Sequence, residues 1–208
     1  ELIRAWYDAE ILYTDQEIGR LLAALEERDL AADTVVVITA DHGEGLMQHG
    51  YVLHGLRIFE EEIRIPLIIS WPDAIAPRRI PGPVQLADVA PTLVSLLDMD
   101  PGQARMDGLN LSPALRSGAA LDTARPIYSF RRRLDASLIQ PVLSQLVPGY
   151  SELSTPPVYV NGEQFGLREG EWKYVIGPDE GYESLFNLRE DPGELNNTVA
   201  DHRILAGG

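Results

Sequence analysis

No cysteine occurs among the 208 residues. The stretch therefore holds no disulfide, and redox compartment stays open on this ground. Long apolar runs are missing too: hydrophobic residues make up 45% of the chain, enough to bury a core, but none of the runs approaches the roughly 20 residues needed to cross a bilayer. Basic residues are scarce. Lys and Arg number 17 against 32 Asp and Glu, a net charge of −15, which argues against nucleic acid or an anionic membrane surface as partner. The chain opens on Glu1 without a methionine and ends abruptly at Gly207-Gly208. It reads as a piece of a longer protein, so no targeting peptide can be sought in it.

Against these absences stands one concentration. Three of the four histidines, His42, His49 and His54, fall within thirteen residues directly after the β-type run Thr34-Val-Val-Val-Ile-Thr-Ala-Asp41. Val35, Val36, Val37 and Ile38 form a continuous β-branched block, the pattern of a strand covered on both faces, as in a parallel sheet with helices above and below. In such sheets ligands gather at the carboxyl ends of the strands, where Asp41 and His42 stand. A hard carboxylate oxygen beside a neutral imidazole suits Mn, Mg, Ca or Zn, and the pattern looks like a metal-dependent hydrolase site. The plainer alternative is Asp41 as a helix N-cap with His42 on the surface. Gly43 lets the backbone turn or approach a ligand closely. Glu44 supports a metal ligand or caps the following turn.

The flanking segments frame this loop. Tyr7, Ile11, Ile18, Leu21, Leu22 and Leu25 recur at helical spacing, predicting an amphipathic helix before the strand. Helix, turn and strand make half of a βαβ repeat, so the preceding strand should lie before residue 1. Leu67-Ile-Ile-Ser70 is a second strand feeding the same core. Asp88 reads as the cap of a helix with Pro91 in its first turn and Val89, Leu93, Leu96 and Leu97 as its buried stripe. Turns follow at Met99-Asp-Pro-Gly102 and Met106-Asp-Gly108 before Leu109 to Leu115 returns to packed structure.

The order Tyr7-Asp8-Ala9-Glu10-Ile11, Asp41-His42-Gly43-Glu44, His49-Gly50, His54-Gly55, Phe59-Glu60-Glu61-Glu62-Ile63-Arg64-Ile65-Pro66-Leu67, Asp88-Val89-Ala90-Pro91-Thr92-Leu93 and Asp107-Gly108 resembles the second half of a sulfatase. The tail from Glu183 to Asn196 resembles that family's C-terminal signature. The resemblance implies an α/β, alkaline phosphatase-like fold: a mixed sheet sandwiched by helices, with a small C-terminal antiparallel sheet subdomain. It implies residues 1–125 as the C-terminal portion of the catalytic α/β domain, 126–162 as an irregular loop excursion, and 163–208 as the antiparallel subdomain.

It further implies hydrolysis of small-molecule or carbohydrate sulfate esters by a formylglycine made from the Cys or Ser of a Cys/Ser-x-Pro-x-Arg motif, beside a divalent cation, usually calcium. Asp41 and His42 match the later pair of metal ligands. His54 matches a position contacting the sulfate or the bridging oxygen, hence substrate binding and leaving-group protonation. His49 matches a His-Gly element that binds substrate or serves as a loop hydrogen-bonder. The net negative charge makes a cation the more necessary for anionic substrates.

Departures from the family pattern are plain. The nucleophile motif is missing; the nearest look-alike, Ser70-Trp-Pro-Asp-Ala74, ends in alanine and follows the metal motif. The nucleophile and the first two metal ligands are expected in a preceding half, without which this stretch should hydrolyse nothing. Two other readings stay open: a phosphate or phosphonate ester hydrolase, or phosphoglycerol transferase, of the same superfamily, and a non-catalytic remnant acting as a binding module.

Toward the C-terminus, Arg131-Arg132-Arg133 reads as a solvated surface run or a patch steering an acidic substrate. Pro141, Pro148, Pro156 and Pro157 mark the irregular excursion. Three short strands, 163–168, 171–176 and 183–188, form an antiparallel meander. Glu194 to Thr198 is expected to start a helix, Lys173 to lie on the sheet surface or to reach the active site, and Asn196-Asn197-Thr198 to satisfy the N-glycosylation pattern.

Overall fold

The computed structural model describes residues 2–133 and 162–202, and the prolines of the expected excursion lie outside them. The chain divides into two compact units, one of residues 1–40 and 66–122, the other of 41–65 and 123–208. The segment carrying the three histidines is thus grouped with the C-terminal sheet rather than with the strand that leads into it.

In the first unit, helix α1 (Leu2–Glu26) precedes strand β1 (Val36–Thr39), which pairs antiparallel with β4 (Leu67–Ser70) in the register Val36↔Ser70 to Thr39↔Leu67. The β-branched block forms the expected strand, but it is half-buried, and its described neighbour is antiparallel. α1 has no buried residue: Tyr7, Ile11 and Leu21 are exposed, and Ile18, Leu22 and Leu25 are half-buried. The core is Ile75, Leu96, Leu111 and Leu115, with Leu67, Ile69, Trp71, Ile80 and Leu121 packed on it.

A 3-10 turn (Leu86–Asp88) runs into helix α3 (Val89–Leu96), and α4 (Ser112–Ser117) follows. The buried line of α3 is Thr92 and Leu96, continuing Asp88 at a spacing of four, whereas Leu97 of the expected stripe is exposed. Asp88 makes no side-chain cap on α3. Fully buried, it instead accepts the N–H groups of Gln85 (2.8 Å) and Leu109 (2.6 Å), while Thr92 Oγ1 donates to the Asp88 carbonyl (2.6 Å) and accepts from Leu111 N–H (2.8 Å). The polar stripe therefore stitches the 109–111 segment to α3, since buried backbone N–H groups need acceptors. Gly108 of the Asp-Gly motif fits because any Cβ there would collide with the Ala87 backbone.

In the second unit, β2 (Gly45–Leu46) and β3 (Val52–Leu53) form a short hairpin, followed by the single turn α2 (Glu60–Ile63). Strands β5 (Ile127–Arg131), β6 (Gln164–Glu169), β7 (Trp172–Gly177) and β8 (Tyr182–Asn187) make an antiparallel sheet in sequential order. The three expected strands are present within one residue or so. β5 is an addition, and it begins inside the stretch expected to be irregular. Arg131, at its end, is buried and donates to the Gly162 carbonyl, so it is not a solvated charge; Arg133 pairs with Asp179 at 2.6 Å. No helix forms at 194–198. Asn197 serves the sheet edge instead, accepting Leu185 N–H (3.0 Å) and donating to the Glu183 carbonyl (2.9 Å).

Candidate functional site

Every residue singled out for chemistry lies in the second unit. Asp41 to Glu44 pass against the α2 turn, where Gly43 N–H donates to the Glu62 carbonyl (2.6 Å) and Glu44 N–H to that of Glu61 (2.9 Å). Gly43 is needed for this approach, because a Cβ would strike the Glu61 carbonyl. The hairpin then brings His54 back, and the residue before it, Leu53, is held at φ +74°, a left-handed conformation unfavourable for a leucine. Such strain at a loop tip is tolerated where the surroundings fix it, and it clusters at functional sites.

Four of the expected residues meet here. The rings of His42 and His54 stack at 3.9 Å between centroids, with 29° between planes. His42 Nδ1 lies 2.8 Å from the Gly43 carbonyl, an atom that only accepts, so Nδ1 carries the hydrogen and Nε2 is left with its lone pair in the neutral ring. That Nε2 lies 3.6 Å from Asp41 Oδ2, outside hydrogen-bond distance. His54 Nδ1 lies 3.1 Å from Glu44 Oε2. Glu44 is thus the partner of His54, not a cap of the next turn. Asp41 is largely exposed, His42 and His54 are about half exposed, and Glu44 is mostly buried.

His49 does not join them. Its Nδ1 faces Glu61 Oε2 at 3.1 Å, its Nε2 donates to the Glu194 carbonyl at 3.2 Å, and its ring lies flat on Phe59 at 3.8 Å. Burial opposes the charge on His49, but the Glu61 carboxylate and the Glu194 carbonyl outweigh it and raise its pKa above the ordinary value. A cleft of 440 Å³ runs past His49, lined also by Gln48, Glu60, Glu61, Arg64 and the turn at 192–195. Asp41, His42 and His54 do not line it.

Sequence reasoning missed the framework beneath the loop. Lys173, expected on the sheet surface, is 1% exposed and paired with Glu60 (3.2 Å) and Glu194 (2.8 Å). Glu194 also accepts Glu60 N–H (2.5 Å), and Arg168 reaches Glu60 at 3.4 Å. Glu62 accepts the N–H groups of Gly55 (2.5 Å) and Arg57 (3.1 Å), which ties down the chain just after His54. Period-two alternation was the available signal: Lys173 shares its sheet face with buried Val175, so it had to be buried or paired.

With respect to metal binding, among the described residues no three His, Cys, Asp or Glu side chains converge into a complete cage. Asp41 and His42 nevertheless suit a shared hard cation: the Gly43 carbonyl fixes the imidazole tautomer, and two electron-pair donors are left facing across a gap no hydrogen bond spans.

Comparison with known proteins finds relatives of this chain. A family model described as Sulfatase matches residues 3–99. The arylsulfatase K of Mus musculus is 29% identical over 203 residues, 96% of this chain and 33% of the relative. A choline-sulfatase of Rhizobium meliloti (strain 1021) is 30% identical over 205 residues, 96% of this chain and 34% of the relative. The chain thus spans about a third of the length of the curated relatives it matches. Among solved structures, BT4656 in complex with its substrate D-glucosamine-2-N,6-O-disulfate superposes with a TM-score of 0.72 at 24% identity, over 94% of this chain and 37% of that one. The phosphonate monoester hydrolase of Agrobacterium radiobacter gives 0.69 at 25% identity, over 92% and 36%. The fold is the alkaline phosphatase-like one, mixed helix and sheet with a C-terminal four-stranded antiparallel sheet.

Proposed function

We propose that this chain, whose residues 3–99 match the sulfatase family model and which is 30% identical to a choline-sulfatase, supplies metal and substrate ligands to a site that hydrolyses sulfate esters. The observation that carries the reading is the convergence of Asp41, His42, Glu44 and His54 on one loop tip, with one ring nitrogen on each histidine making no hydrogen bond among the described residues. Asp41 Oδ2 and His42 Nε2 would hold a divalent cation, most simply Ca2+, with Mn2+, Mg2+ or Zn2+ also suited to an oxygen and nitrogen donor set. When bound, that cation polarises a sulfate oxygen and offsets negative charge that the acidic chain cannot offset itself.

His54 acts on the other side of the reaction. With Nδ1–H held by Glu44, its Nε2 is the nitrogen free to meet substrate; in the protonated ring it donates to the ester oxygen and passes the proton to the alcohol as the S–O bond breaks. The nucleophile, a formylglycine in the family pattern, and the remaining metal ligands would come from residues outside this stretch. Substrates are then small-molecule or carbohydrate sulfate esters.

Replacement of Asp41 by Ala in the full-length protein is expected to abolish turnover of 4-nitrophenyl sulfate and to lower the bound divalent metal measured by elemental analysis. Unchanged activity and metal content would sink the assignment. The likeness to a phosphonate monoester hydrolase favours one second reading, hydrolysis of phosphonate or phosphate monoesters on the same site. Side-by-side turnover of 4-nitrophenyl sulfate and 4-nitrophenyl phenylphosphonate decides between the two.

A further inference from the structure

We infer that Glu44 is the positioning residue that fixes the tautomer and direction of His54, so that Nε2 and not Nδ1 delivers the proton to the leaving group. The inference rests on the reading of His54 as leaving-group acid given above. Three features of the loop carry it.

First, the carboxylate of Glu44 only accepts hydrogen bonds, so the 3.1 Å contact from Oε2 to His54 Nδ1 assigns the hydrogen to Nδ1. An unrestrained neutral imidazole exchanges between two tautomers; this one is held in a single form. Second, the surroundings favour the one ring orientation. One face stacks on His42 at 3.9 Å, and the backbone on either side is locked, Leu53 and Gly55 both having positive φ, while the Glu62 carboxylate holds Gly55 N–H at 2.5 Å. Third, Glu44 is an expensive residue where it stands. Its Oε1 is buried and has no hydrogen-bond partner among the described residues, and a carboxylate kept half-satisfied in a largely buried position costs stability. A residue serving only to close the turn could do so without a buried charge. Glu44 also adjoins the metal pair in sequence, yet the described partner of its carboxylate is His54 rather than Asp41 or His42. The loop therefore divides labour between Asp41 with His42, and Glu44 with His54.

The test uses Glu44→Leu and Glu44→Gln in the full-length protein, with 4-nitrophenyl sulfate and phenyl sulfate as the two probes. Leucine removes the acceptor, whereas the Gln carbonyl can still accept from Nδ1. Phenolate is the poorer leaving group and depends more on protonation. We expect kcat of E44L to fall about tenfold with 4-nitrophenyl sulfate and about a hundredfold or more with phenyl sulfate, the span of general acid catalysis, with KM little changed, and E44Q to recover most of the loss. Nitrogen-15 NMR of labelled histidine should show His54 as Nδ1–H in the wild type and E44Q, and as a tautomer mixture in E44L. Equal losses on both esters, or an unchanged tautomer in E44L, would overturn the proposal, since general damage to the fold has no reason to follow leaving-group basicity. The companion variant His54→Ala separates the two layers. A tautomer shift in E44L together with full activity in H54A would refute the underlying reading of His54 while leaving the Glu44 contact intact.

Discussion

His42 and His54 each have one ring nitrogen engaged and one without a hydrogen bond among the described residues, and both are about half exposed; His49, only a few residues away, has both nitrogens facing acceptors and is mostly buried. Composition cannot distinguish these three residues, since all sit in one glycine-rich loop. Their partners do. A histidine with a spare nitrogen can bind a cation or carry a proton to substrate, while one with an acceptor facing each nitrogen holds structure together. The same division runs through the neighbouring glutamates. Glu60, Glu61 and Glu62 turn to three different anchors, respectively Lys173, His49 and the backbone of Gly55 and Arg57, so that one short turn braces the loop from beneath.

If that division is real, the two regions should fail in opposite ways. Lys173→Ala leaves Glu194 buried without its counter-charge and Glu60 with Arg168 alone, and breaking a buried pair in this manner costs about 3–5 kcal/mol. His42→Ala, at a half-exposed position with no packing to lose beyond one ring stack, should change stability by no more than about 1 kcal/mol. Denaturant unfolding of the two full-length variants measures the contrast, and equal destabilisation would erase it. Activity should show the reverse, with H42A inactive although folded.

Gly43 sits where the two regions touch and should respond in both assays. Ala there drives a methyl group into the Glu61 carbonyl and pushes the loop off α2, threatening the hydrogen bonds to Glu61 and Glu62. Overpacking of this kind costs about 1–3 kcal/mol. Turnover should fall further than stability implies, because the displaced backbone carries Asp41 and His42 with it. A G43A protein of wild-type stability and activity would show that the loop is not braced by α2.

Much of this was legible in the chain. The block at Val35 to Ile38 announced β1, the meander announced β6, β7 and β8, and the spacing of His42 and His54 announced that their side chains would meet on one loop. What escaped has physical causes. β5 reads poorly because Tyr128 and Phe130 face outward while two of its three inward positions, Ser129 and Arg131, are polar, and only Ile127 keeps the usual alternation. Lys173 escaped because its two carboxylate partners lie 113 and 21 positions away, and only the fold brings them together. The helix expected at 194–198 lost to a tertiary demand: Asn197 and Thr198 satisfy Leu185 on the sheet edge, and Glu194 is drawn inward to Lys173. α1 shows the opposite discrepancy, a helix whose apolar residues find little cover among the described residues.

The smallest effect tests the histidine comparison most directly. With a carboxylate at Nδ1 and a carbonyl at Nε2, only the doubly protonated ring of His49 satisfies both contacts, in keeping with its raised pKa. A folded-state pKa above the unfolded value means that the native protein binds the proton more tightly. The resulting stability is fully present below the ordinary histidine value of about 6.5 and is lost as pH rises through the raised native value. Replacing His49 by Gln should therefore cost on the order of 1 kcal/mol, the net worth of such contacts, at pH 6, and distinctly less at an alkaline pH above the raised native value, where the wild-type ring gives up its proton. Denaturant unfolding of wild type and H49Q at the two pH values reads the difference. A gap that widens toward alkaline pH would mean that His49 is neutral in the fold, with a nitrogen to spare like its neighbours.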